Sequence, residues 1–72
     1  MYIVIELQKN AEGVVSNIVT SHETLNGAES SYHGILASAA ISAVPVHSAT
    51  IVSEEGFPVR YECYKHDTVS GE

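Results

Sequence analysis

From Ser30 to Ser53 the chain carries no Asp, Glu, Lys or Arg. This run starts within a helical pattern and ends in a β-branched strand, so it constrains both layers of the fold. A helix lying on a monomer's own sheet should show charge on its outer face. Here that face carries Ser30, Gly34, Ala37, Ser38 and Ile41, all small or apolar, with Gly27 before them. Ser30, Gly34 and Ser38 recur at intervals of four, and small residues at that spacing let two helix backbones approach closely, a pattern best established in membranes. Gly34 in mid-helix costs about 1 kcal/mol relative to Ala, which close packing against a neighbour would rationalise. The strip is therefore read as a subunit interface; the plainer alternative is a helix face that is merely low in charge.

Size points the same way. A chain of 72 residues is one domain, and at this length folding buries only about 60% of the surface the unfolded chain exposes. Small domains then need a disulfide, a metal or a partner subunit. The single Cys63 excludes an internal disulfide and suits a reducing compartment. The expectation is a homo-oligomer, a dimer or higher.

The net charge of −6, with only Lys9, Arg60 and Lys65 as cations, is a poor footprint for a nucleic-acid backbone, so DNA or RNA is not an expected partner. The opening Met1-Tyr2-Ile3-Val4-Ile5-Glu6 lacks a basic flank and is too short for a signal peptide or a membrane span. A membrane is therefore not expected as a partner, and a cytoplasmic location is.

Five elements are expected. Residues 1–8 read as a strand, with Met1, Ile3, Ile5 and Leu7 on one face and Tyr2 and Glu6 on the outer one. Residues 9–13 make a turn, and residues 14–21 a second strand with apolar residues on both faces. A helix follows, with Asn26 as N-cap and Glu29 completing a capping-box-like pair; starts at Ser21 or Thr24 stay open. Its core stripe is Leu25, Ala28, Tyr32, Ile35, Leu36, Ala39 and Ala43, and Pro45 ends it. Residues 46–53 and 57–66 read as two further strands around a turn at Glu54-Glu55-Gly56, Gly56 taking the left-handed position. Pro58 marks an edge or a strand beginning. The fold class is α+β: a two-layer β-β-α-β-β domain over residues 1–66, with one helix on a mostly antiparallel four-stranded sheet. Residues 67–72 read as a flexible C-terminal tail.

Catalytic signals are weak. Cys63-x-x-His66 has metal-ligand spacing, but structural zinc needs a second pair, and alternation points the two to opposite faces with Cys63 toward the core. No nucleophile elbow or phosphate-binding glycine loop occurs. No metal or cofactor is expected, and binding is expected rather than catalysis. The candidate ligand-binding residues are Arg60, Tyr64, His66, Tyr32, His33 and His47: an Arg for an anion, Tyr for stacking, His for hydrogen bonds. Arg60, Glu62, Tyr64 and His66 share one strand face, and Glu29 and His33 are spaced to pair on the helix flank. Solvating the open face of the sheet is the plainer role for these residues.

The segments Tyr2-Ile3-Val4-Ile5-Glu6-Leu7-Gln8, Ala28-Glu29-Ser30-Ser31-Tyr32-His33, Val44-Pro45-Val46-His47-Ser48-Ala49 and Glu62-Cys63-Tyr64-Lys65-His66 together resemble short, largely uncharacterised proteins encoded in phages and prophages of gut bacteria. No activity transfers with the resemblance. It implies an accessory role against host defence, in the bacterial cytoplasm. One class with this layout consists of compact oligomers that sequester a nucleotide-derived immune signal between subunits, without chemistry. The competing expectation is a protein-binding module, such as an inhibitor of a host enzyme or a particle-assembly factor.

Overall fold

The computed structural model describes residues 1–66; the proposed tail at 67–72 lies outside the described residues. The order is β1 (Tyr2–Lys9), β2 (Val15–His22), α1 (Leu25–Ala40), β3 (Val46–Ser53) and β4 (Pro58–Lys65). The strands form one antiparallel sheet in the order β2-β1-β3-β4, with α1 packed on one face. The expected two-layer ββαββ architecture is present.

Local chemistry explains the turns. Asn10 Oδ1 accepts from the backbone N–H groups of Glu12 and Val14, both at 2.9 Å, and Gly13 closes that turn at φ +88°. Gly56 closes the β3–β4 turn at φ +93°, a backbone that favours glycine. Pro58 begins β4, an edge strand where its missing N–H costs no central hydrogen bond, and the β3–β4 register slips between Ile51 and Val52.

Both helix ends differ from expectation. Thr24, one of the open alternatives, caps the helix: its Oγ1 accepts from Gly27 N at 3.1 Å, and Asn26 lies inside the first turn. Glu29 reaches across to β4 and does not bond the cap. The helix stops at Ala40, before Pro45, because the chain tightens into short-range bonds from Ile41 N to Ser38 O and from Ser42 N to Ala39 O. Ala43 is therefore off the helix and exposed.

The core is small. Val4, Ala28, Tyr32, Ala49 and Ile51 form the buried cluster, with Tyr2, Ile35 and Leu36 packed against it. Val4 and Ile51 are its largest fully buried side chains, each contributing about 1.5–3 kcal/mol by burial. The register corrects the face assignment in β1. Val4 pairs with Ile51 and Glu6 with Ala49, and residues paired across a ladder share a face. Tyr2, Val4 and Glu6 thus lie beneath the helix, while Ile3, Ile5 and Leu7 line the open face. Cys63, expected in the core, is exposed; it pairs with Ser48, on the side away from the helix. Among the described residues, no helix is long and apolar enough to cross a membrane.

Candidate functional site

The alternation that sends Cys63 to the open face sends Arg60, Glu62 and Tyr64 to the helix side. These three share one face as expected, but it is the face under α1. Because β4 is an edge strand and α1 lies chiefly over β3 and β1, the polar row of β4 runs alongside the helix without being covered by it.

Three polar contacts organise this side. Arg60 Nε donates to Glu29 Oε2 at 2.7 Å, tying β4 to the first half of α1. His66 follows β4 and donates through Nε2 to the carbonyl of Ala39 at 2.8 Å, a second partner for an oxygen that also accepts from Ser42 N. His47, in the interior strand β3, is 4% exposed and donates through Nε2 to Glu6 Oε2 at 2.6 Å. Gln8 Nε2 donates to the same carboxylate oxygen at 3.1 Å. His47 Nδ1 is buried without a partner among the described residues.

Aromatic rings stand beside these contacts. Tyr64 and His66 lie nearly parallel, 6° between planes and 6.3 Å between centroids. Tyr32 is buried beside Glu62, Arg60 and Tyr64. Burial pushes its phenol above the ordinary tyrosine range, Glu62 adds to the rise, and Arg60 opposes it.

The structure brings Arg60, Tyr64, His66, Tyr32 and His47 to one side of the sheet. His33 is the outlier: it is exposed on the helix, its ring edge-on to Tyr32 at 5.3 Å and 70°. Its expected pairing with Glu29 is absent because Glu29 binds Arg60. Glu6 and Glu29, placed by the sequence on the outer face of β1 and beside His33, take partners it did not assign: His47 and Arg60. The signal for Glu6 was the β3 alternation His47, Ala49, Ile51, which singles out the buried face and hence the partner residues on β1.

The arrangement suits recognition of a small polar molecule. The contact with Glu29 uses the Nε of Arg60, leaving its terminal amino groups for an anion, while Tyr64 and His66 present flat faces for a ring. Glu6, Glu29 and Glu62 make the setting acidic, which disfavours a long polyanion. A recess of about 320 Å³ lies elsewhere, on the open face, lined by Ser48, Thr50, Pro58, Tyr61, Glu62 and Cys63. Only Glu62 belongs to the helix-side row.

Fold and site together define an α+β ββαββ domain with an acidic, aromatic row of side chains on an edge strand beside its helix. Compared with protein-family models, curated proteins and solved structures, the chain matches none.

Proposed function

We propose that this chain is a non-catalytic, self-associating phage accessory protein of the bacterial cytoplasm that captures and holds a small nucleotide-derived signal. The observation that carries the reading is the convergence of Arg60, Tyr64 and His66 with Tyr32 of α1 and His47 of β3 on one side of the sheet. A guanidinium fork for one or two phosphates beside flat rings for a base is the chemistry a nucleotide requires. Holding rather than converting is supported by the bonds these groups already make: Arg60 to Glu29, His47 to Glu6, His66 to the Ala39 carbonyl. Cys63, the strongest nucleophile by side-chain type, faces away from His47 and Tyr64 across the sheet.

Native mass spectrometry of protein purified from infected host cells, followed by denaturation and analysis of released small molecules, tests the reading. A nucleotide-sized mass on the wild type that is lost from Arg60→Ala, with assembly unchanged, supports it. Equal ligand content in both proteins removes Arg60 from the site, and loss of assembly in Arg60→Ala makes its role structural.

A further inference from the structure

The open face of an antiparallel sheet is ordinarily polar and wet; here apolar side chains predominate among a few uncharged polar ones, Asn17, Ser21, Ser48 and Thr50. Pairing register places Ile3, Ile5, Leu7, Val19, Val52 and Tyr61 on it. Tyr61 is 74% exposed, Val19 52% and Leu7 37%. Among the described residues, its only charged strand residues are Lys9 and Lys65, both in the row with Val46 at one end. The acidic strand residues Glu6 and Glu62 are on the helix side, while Glu54 and Glu55 sit in the turn at the opposite end.

We infer that this face is the seat of a second copy of the chain, sheet against sheet, related by a two-fold axis running across the strands. Such an axis lays each strand head to tail over its own counterpart. Lys9 and Lys65 of one copy then approach the Glu54-Glu55 end of the other, and the reverse holds by symmetry. The same operation brings Tyr61 over the partner's Ser48 and Cys63, where the 320 Å³ recess lies. A projecting aromatic ring meets a hollow lined by Ser48, Thr50 and Cys63 together with Pro58, Tyr61 and Glu62, and the patch is self-complementary.

Area supports this occupant. Eight-residue strands span about 26 Å, and four at about 4.8 Å spacing span about 19 Å, a footprint of roughly 500 Å² per copy. Counting both copies, that reaches the roughly 1,000 Å² a specific interface needs. The small core supplies the motive, since Ala28, Ala39 and Ala49 are half of its buried hydrophobic residues and small domains need a further source of stability. The inference rests on the self-association in the proposed function but not on the ligand, so the two can fail separately.

Cys63 is a built-in reporter, exposed in the single copy and covered in the pair. The experiment measures sedimentation and the rate of Cys63 reaction with an aromatic disulfide reagent across a protein dilution series. The expected result is a dimer in which Cys63 reacts at least ten times more slowly than in the diluted monomer, the slow fraction tracking the dimer fraction. Tyr61→Lys, altering a side chain exposed in the single copy, is expected to raise the dimer dissociation constant at least a hundredfold. A monomer at all concentrations overturns the inference. So does a dimer whose Cys63 reacts as fast as the monomer's, which would move the contact to the helix strip or the β2 edge.

Discussion

Nε2 of His47 and Oε2 of Glu6 stand 2.6 Å apart, joining residues from the two interior strands beneath the helix. Their side chains are 5% and 16% exposed, so neither is well solvated. Glu6 lies opposite Ala49 and His47 opposite Gln8, making the pair diagonal neighbours across the β1–β3 ladder.

Glu6→Ala should destabilise the protein by about 1–3 kcal/mol, because it strands a buried imidazole donor. Replacing both partners, as Glu6→Leu with His47→Leu, should cost less than the single change. Urea denaturation of the two variants and the wild type checks this. A double variant that loses more than Glu6→Ala would overturn the reading of the 2.6 Å contact as a coupled pair.

Glu29→Gln should increase ligand capture, since the neutral amide competes less with an anion for Arg60. The Arg60 side chain in this pair is 52% exposed, so stability should change by less than about 1 kcal/mol. Ligand occupancy by native mass spectrometry and a thermal melt read the two effects separately. Lower occupancy at unchanged stability would show that Glu29 itself contacts the ligand.

Gly34 offers a test of the helix strip. Ser30, Gly34, Ala37, Ser38 and Ile41 are all exposed, Ile41 by 88%, and a Cβ built at Gly34 meets nothing within 4 Å. With the strip open to solvent, Gly34→Ala should stabilise by about 0.5–1 kcal/mol and raise Tm by several degrees, with assembly unchanged. A weakened assembly would instead place a second copy against the helix. Gly34→Glu would then dissociate it by burying an unpaired charge.

Tyr32 should make stability fall in alkali. Its folded pKa is raised above the ordinary 10.0, so the native state holds the phenolic proton more tightly than the unfolded chain does. Its contribution is fully present below pH 10.0 and is lost as pH rises through the higher folded value. The phenolate absorbance missing from Tyr32→Phe relative to wild type should appear above the ordinary tyrosine range. The alkaline loss of stability should be shallower in Tyr32→Phe. Titration of Tyr32 at or below its ordinary value would refute this.

The set and order of elements and their punctuation were legible in local residue patterns. Asn10, Gly13 and Gly56 act through local backbone conformation, Pro58 through its missing N–H, and the helix stripe of Ala28, Tyr32 and Ala39 through a period of 3.6 residues. These signals need no knowledge of distant partners. Strand facing was different, because β1 offers Tyr2 and Val4 on one face and Ile3, Ile5 and Leu7 on the other. Counting apolar residues favoured the second face as the core; pairing with Ala49 and Ile51 of β3 selected the first. That one choice also carried Glu6 to His47, set Arg60 and Tyr64 beside the helix, and turned Cys63 and Tyr61 outward. Packing makes that choice, since alternation leaves both strand faces available and the helix can cover just one of them.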